Sequence, residues 1–432
     1  MQDTSNYANA MKIRYAKAVS ETINRKVVLY DELSKTSEYW TGKHHEQPVY
    51  LRSANATGAR NEGGTLPDAS NDVYESSIIN NKFNYVVMTV SNIAEAATAD
   101  QAGAWASVKT EQLKNRTKDL TDSLNRQFHG DGSGVFCEVA SFAGATVTIK
   151  GFDDGTVITD SDTPRTTRHL KVGMKVAWGT PAHLIAGDGA GNSLGVGTVS
   201  SVSKSAPFTQ FNLTGIVGAD PDFVAGAVVV LGKATTAANQ SHNKECMGIA
   251  GIVSSSGALQ NIDPATHPEW ASTVFDNPAG AGSERPLTED LLNQAIDAVD
   301  DLSTGECDLM VMHTATQRAY LNMLKSKGQE RFAPTEMKGG WKALTYHHDG
   351  RLIPILSDKD CRHRQIFCLS KAALKIYETS PFAWDESGGS TWKWQSGLDS
   401  VTAFGRTYSN MGTSNRAGLA RINDIAVTGL VA

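Results

Sequence analysis

The chain lacks most of what a secreted or membrane-spanning protein requires. Its five cysteines (Cys137, Cys246, Cys307, Cys361 and Cys368) are odd in number, widely scattered and never arranged as CxxC. That pattern suits reduced thiols better than a disulfide framework. No run approaches about eighteen consecutive apolar residues, and the N-terminus, MQDTSNYANAMKIRYAKAV, has no apolar h-region, so neither a membrane span nor a signal peptide is expected. Positive charge is not in excess either. The formal net charge is −6, whereas a general nucleic-acid binder needs clustered Lys and Arg. There is no GxSxG, HExxH or P-loop, and nothing sets a nucleophile beside its base.

What is present is an ordinary globular composition, 40% hydrophobic and 20% charged, in 432 residues. That length accommodates two or three domains, and 39 glycines point to many turns and much β structure. The organising stretch is Asp100 to Phe128, read as one helix roughly 40 Å long at about 1.5 Å per residue. Trp105, Val108, Leu113, Leu120, Leu124 and Phe128 share a broad side of it and form its expected core, with Thr117 filling the gap. Asp100 is placed to cap its start, and Lys118, Asp122 and Arg126 form an i,i+4 ladder. Glycine-rich His129 to Gly134 ends it. A rod with only a partial apolar stripe is a poor single-domain core and a good spar for other parts.

Ahead of this spar, Met11, Tyr15, Val19, Ile23, Val27 and Tyr30 recur at nearly four-residue steps, predicting an amphipathic helical arm. Residues 47 to 73 are rich in Gly, Asn, Ala and Asp, predicting a protruding loop or long hairpin; Lys82 to Val90 predicts a strand. Behind the spar, residues 135 to 233 lose all helical period. Short strands at Ala145 to Lys150, Leu170 to Trp178, Val196 to Val202, Phe211 to Leu213 and Ala227 to Leu231 predict an inserted antiparallel barrel or sandwich. From Cys246 strands and helices alternate: a helix at Pro286 to Asp300, a strand at Asp308 to His313, and a helix opened by a Thr314-x-x-Gln317 capping box. A hairpin turns at Asp349-Gly350, and Gln365 to Leu369 and Thr391 to Thr407 supply further strands.

Several patterns resemble chemistry and weaken on inspection. Gly187 to Gly191 is followed by strand rather than by the helix a phosphate cradle needs. Cys361, His363 and Cys368 could supply three zinc ligands, but a fourth at usual spacing is missing. The pairs His44-His45 and His347-His348 project to opposite sides of a strand, so they are expected as exposed or interface histidines. Asp153, Asp154, Asp160 and Asp162 lack calcium-loop order. No catalytic, cofactor-binding or metal-binding residue is assigned.

The order of parts carries more than any single motif. An N-terminal arm, a loop containing Arg60-x-Glu62-Gly63-Gly64-x-Leu66-Pro67, the strand FNYVVMTVS and a helix closing in LNRQFHGDGSG are followed by GIAGIV at Gly248, LTEDLLNQAIDAV at Leu287, DLMVMHTATQRAYLNML at Asp308 and GRLIPILSD at Gly350. This series resembles the major capsid proteins of tailed bacteriophages with the HK97-type fold. The resemblance implies an α+β chain with an N-terminal arm (1–46), an E-loop (47–83), a P-domain on the spine helix (84–134), an inserted β domain (135–245), an A-domain (246–390) and return strands (391–432). It implies pentamers and hexamers of the chain itself, forming an icosahedral shell around double-stranded DNA that is not bound sequence-specifically. A portal and decoration proteins are implied as partners, with assembly in the host cytoplasm and no membrane association. About forty-five residues precede the E-loop, so a separate scaffolding protein or a mature chain is expected. Arg52, Arg60, Glu62, Leu66 and Pro67 are the expected interface residues of the E-loop. The alternatives are a hydrolase whose β insertion binds substrate, or a β-rich tail or adhesion component.

Overall fold

The structure is a computed structural model that describes residues 27–38, 44–94, 108–150, 167–186, 195–203, 210–217, 227–232, 240–280, 283–302, 305–326, 335–336, 342–387 and 389–427. Most of the expected N-terminal arm, together with Asp100, Trp105 and the stretches 151–166 and 187–194, lies outside them, and Val108 is described only in its backbone. In chain order the strands are β1 (Ser34–Thr36), β2 (His44–Arg52), β3 (Val73–Asn80), β4 (Lys82–Ser91), β5 (Val135–Ala143), β6 (Thr146–Ile149), β7 (Lys175–Gly179), β8 (Gly195–Val202), β9 (Gln210–Val217) and β10 (Val228–Leu231). They continue with β11 (Thr273–Phe275), β12 (Leu309–Met312), β13 (Thr335–Glu336), β14 (Lys342–His348), β15 (Arg351–Ser357), β16 (Ile366–Leu369), β17 (Leu374–Trp384), β18 (Lys393–Trp394), β19 (Ser400–Thr413) and β20 (Leu419–Ile422). The long helix runs Val108–His129, and two further helices run Glu289–Leu302 and Thr314–Ser326.

The chain divides into two compact units. One gathers Tyr85–Ser123 and Phe382–Thr407. In it β18 pairs antiparallel with β19, Lys393 opposite Thr402 and Trp394 opposite Val401. A Cβ on Gly405 would fall 2.6 Å from the Phe382 ring, so only glycine lets that ring lie on the strand. Leu120 is buried on the helix while Leu113 is half-buried.

The other unit holds Val27–Asn84, Leu124–Pro381 and the chain from Tyr408. Strands β10-β5-β6-β9-β8-β7 close into a barrel. Closure leaves no exposed edge. Phe136, Val139, Val147, Ile149, Trp178, Phe211 and Val229 fill it. Gly195 and Gly197 sit against the Trp178 indole; a Cβ at Gly195 would lie 2.0 Å from it. A seven-stranded sheet in the order β11-β20-β16-β12-β15-β14-β13 forms the second body of this unit. Alternate residues Met310, Met312, Ile366, Cys368, Ala420 and Ile422 pack with Leu292, Ile296 and Val299 of the first short helix and Tyr320 and Leu324 of the second. The fully buried Arg416 guanidinium donates to the carbonyls of Ile252, Ser256 and Gly257.

Four local readings are corrected. The β7 strand begins at Lys175, not Leu170, because a 3-10 turn at Thr167–His169 and a left-handed Gly173 (φ 86°) precede it. His313, not Thr314, caps the helix Thr314–Ser326, its Nδ1 accepting the Ala315 N–H at 3.1 Å. Arg126 leaves the expected charge ladder to pair with Glu245 at 2.6 Å. His45 is wholly buried, its ring nitrogens facing the Glu38 carbonyl at 3.0 Å and the Thr379 hydroxyl at 3.2 Å.

Candidate subunit-interaction surfaces

The region flagged by composition is an antiparallel hairpin with a long extended tip. β2 pairs with β3 from His44 opposite Asn80 to Arg52 opposite Val73. Strand alternation gives the hairpin two unlike faces. His45, Gln47 and Val49 are buried: Gln47 donates to the Thr413 carbonyl at 3.4 Å and accepts from the Tyr377 hydroxyl at 3.2 Å, and Val49 packs with Ile262 and Trp270. The opposite face is open, with Tyr50 and Tyr74 rings 4.9 Å apart.

Beyond Arg52 the chain runs to Asp72 with no strand pairing, and nearly every residue is exposed. Arg52 reaches Glu269 at 3.4 Å within its own subunit. Arg60 turns back, donating to the Thr65 carbonyl at 3.0 Å and the Ala59 carbonyl at 3.1 Å. It therefore shapes the tip, closing the turn in which Gly64 N–H donates to Asn61 and Gly63 adopts φ 77°. Glu62 is exposed, Pro67 half-buried, and Leu66 is 85% exposed. An isolated tip with so little apolar contact has no stabilisation of its own to offset the entropy of ordering it.

A second feature, invisible to motif searches, is a buried charge cluster where the long helix ends. Asn125, His129 and Asp358 are wholly buried and Asp360 nearly so. The Asn125 amide donates to Asp358 at 3.1 Å and to Asp360 at 2.8 Å. Asp358 also accepts the Leu29 N–H at 3.4 Å, and Tyr30 N–H donates to the Asn125 side-chain Oδ1 at 3.4 Å. Burial works against a charged His129, but the Asp358 carboxylate outweighs it and Cys361 adds to it, raising the imidazole to about 10. Burial likewise opposes the Asp358 anion; the His129 charge, the Asp360 N–H and the Asn125 amide together hold it below the usual carboxylate range. Asp360 is raised by burial and by the Asp358 charge. Val27 to Leu33 is thereby fastened to the helix, and Tyr30 stacks on Phe128 at 5.7 Å.

Beside this cluster a cleft with about 30 Å³ of free volume is lined by Arg126, His129, Asp131, His169, Glu245, Asp360 and Arg362. That is room for a water or two, against roughly 300 Å³ for a small-molecule site. Its basic side chains face carboxylates: Arg126 meets Glu245 at 2.6 Å, Arg362 meets Asp131 at 3.2 Å and the His169 ring meets Asp360 at 3.8 Å. Among the described residues no three of His, Cys, Asp and Glu are placed to hold a metal ion. Cys361 and Cys368 are buried free thiols, and His347 is exposed while His348 pairs with Asp297 at 2.9 Å.

No protein-family model matches the sequence, and no curated protein matches it. Among solved structures, the capsid asymmetric unit of cyanophage A-1(L) superposes with a TM-score of 0.56 over 98% of this chain and 99% of that one, at 11% identity. The chain has the HK97-type fold. Also similar are the holo-SrpI encapsulin complex of Synechococcus elongatus PCC 7942 (TM-score 0.48, 9% identity, 100% and 98% coverage) and the capsid of a native GTA particle (0.47, 9%, 98% of each chain). β2 and β3 with their tip fall in the stretch expected from the sequence as the E-loop, and the described helix Val108–His129 falls in the stretch expected as the spine.

Proposed function

We propose that this chain is the major capsid protein of a tailed bacteriophage, a structural protein that assembles into pentamers and hexamers enclosing a double-stranded DNA genome. The observation that carries the proposal is the end-to-end correspondence with a phage capsid subunit, 98% of this chain on 99% of that one. The unit of Tyr85–Ser123 and Phe382–Thr407 is read as the P-domain, the seven-stranded sheet as the A-domain and the barrel as an insertion on the parent fold. A separate scaffolding protein, a portal and decoration proteins are the partners this role calls for, and the virion is its destination after assembly in the host cytoplasm. The chain's −6 charge fits a wall that holds packed DNA without binding it tightly. No catalysis is assigned to it.

The hairpin tip supports the same reading. A subunit that reaches several neighbours through modest contacts gains avidity multiplicatively, so a shell can be durable while each contact stays correctable. Electron microscopy of the purified protein tests the function: closed shells or five- and six-membered rings are expected, and a monodisperse monomer at every concentration would refute it. Deleting residues 55 to 70 is expected to leave a folded subunit that makes no shells; normal shells from that variant would remove the tip from the mechanism.

A further inference from the structure

The inserted barrel leaves and rejoins the parent fold at one place. Its outgoing connection passes through Gly132 (φ 82°) and Gly134 (φ 74°), and its return through Asn243 (φ 57°), whose N–H donates to the Ser133 carbonyl at 2.9 Å. Arg126 lies beside this line, over the Phe136 ring at 4.4 Å and paired with Glu245. Two connections that run side by side act as one axis, and a few residues at element ends can absorb the backbone rotation of a hinge. Contacts on the axis do not fix the barrel's direction. A contact away from it does.

His169 supplies such a contact. It ends the 3-10 turn Thr167–His169, which packs on β5, and its Nδ1 lies 3.8 Å from Asp360 Oδ1 on the loop after β15. The charges around it are matched: Arg126 with Glu245, Arg362 with Asp131, His129 with Asp358 and, on β5, Glu138 with Lys150. Lys171 is exposed to solvent. Asp360 accepts the Asn125 amide at 2.8 Å, and a second cation, Lys359, stands 4.0 Å from it. What sets His169 apart from these fixed charges is that an imidazole gains and loses its charge near neutrality. Its side chain is 17% exposed at the edge of a cleft that admits water, so a proton can come and go without unfolding. A further imidazole at the root, His242, faces the Ser133 carbonyl and Asp131; burial lowers it from 6.5, so it is mostly neutral at that pH.

We propose that the barrel is hinged at its root and that the His169–Asp360 contact is a proton-operated catch. The protonated imidazole holds the barrel's direction against the parent fold, and loss of the proton lets the barrel turn about its two connections. The catch engages as pH falls through the imidazole range and is lost as pH rises again. In stronger acid it fails a second time, because Asp360, raised by burial and by the Asp358 charge, takes up a proton and ceases to attract. Mild acidity is therefore its working window.

Hydrogen exchange of the whole chain, read by mass spectrometry and corrected for the intrinsic pH dependence of exchange, tests the catch. Peptides covering 167–175 and 240–246 are expected to exchange about threefold more slowly at about pH 6 than at about pH 8, the size a partly exposed ion pair supports. His169→Gln is expected to abolish that difference and His242→Gln to keep it. Asp360→Asn, which still offers the Asn125 amide an acceptor, is expected to behave like His169→Gln. Equal corrected exchange at both pH values in the unsubstituted chain overturns the proposal, as does a difference that survives His169→Gln or vanishes in His242→Gln. A second readout uses the chain labelled with carbon-13 histidine. The His169 Cε1–H signal, identified by its absence from His169→Gln, is expected to titrate with the midpoint seen in the exchange, and a different midpoint would overturn the catch.

Discussion

His129 Nε2 stands 3.2 Å from Asp358 Oδ2 with both side chains wholly buried. It is a charge pair rather than an aligned hydrogen bond, since neither ring nitrogen has a partner of hydrogen-bond geometry. The pair dictates a pH profile. His129 rises from 6.5 to about 10 on folding, so its contribution is complete below the lower value and is lost as pH climbs through the higher. Asp358 falls below 3.8, so its contribution is complete above that value and is lost as pH drops beneath it. The pair's contribution to the thermal stability of unassembled subunits is therefore expected to be steady from about pH 4 to 6.5 and to decline toward pH 10. His129→Gln is expected to flatten the alkaline decline. An unchanged alkaline slope in that variant would show that another group carries it.

Asn125 serves three groups at once, donating to two carboxylates and accepting from Tyr30 N–H. Asn125→Leu leaves those groups buried without it, and a loss of about 3 kcal/mol is expected from unsatisfied buried polar groups. Asn125→Asp should be worse, because it sets a third carboxylate beside Asp358 and Asp360. Urea denaturation checks both, and a wild-type midpoint for Asn125→Asp would contradict the proposed role of the amide.

Periodic parts of the fold were legible in the sequence. The long helix from Val108, the alternation Lys82 to Val90 and the barrel strands write their geometry in apolar spacing, and the Asp349-Gly350 hairpin in its turn residues. β17 was not, because its residues do not alternate and Pro381 lies within it, and proline inside a run argues against a strand. The charge cluster was hidden for a different reason. Asn125 and His129 are neighbours on the helix, but Leu29 and Asp358 lie far from them in sequence and no motif joins the three stretches; only the fold brings them together. At the tip, residue type was a good guide to location and a poor guide to role: Arg60 bonds its own turn, and Arg52 its own subunit's Glu269.

Leu120 and Leu113 separate the buried side of the spine from its margin. Leu120 is 7% exposed and Leu113 half-buried. Leu120→Asp places a charge where water is absent and is expected to cost several kcal/mol, whereas Leu113→Asp should cost markedly less. Denaturation midpoints of the two variants decide it, and equal losses would mean that the helix buries a broader stripe than its exposure indicates.

The barrel can be tested as a separable insertion because its two connections run side by side. Asn243 N–H donates to the Ser133 carbonyl at 2.9 Å, and Gly134 (φ 74°) lies so close to the Ser241 carbonyl that a Cβ would meet it at 2.8 Å. Joining Ser133 to Asn243 through a short glycine-serine linker therefore asks for no long reach and leaves Arg126 and Glu245 paired. The shortened chain is expected to keep the helical far-ultraviolet signal and cooperative melting of the parent. Within the full chain, Gly195→Ala should disrupt only the barrel, since the new methyl would collide with Trp178. An early partial transition before the main melt is the expected signature. If Gly195→Ala instead lowers one single transition, and the excised chain aggregates despite a well-formed junction, barrel and sheet fold as one cooperative body and the insertion is not independent.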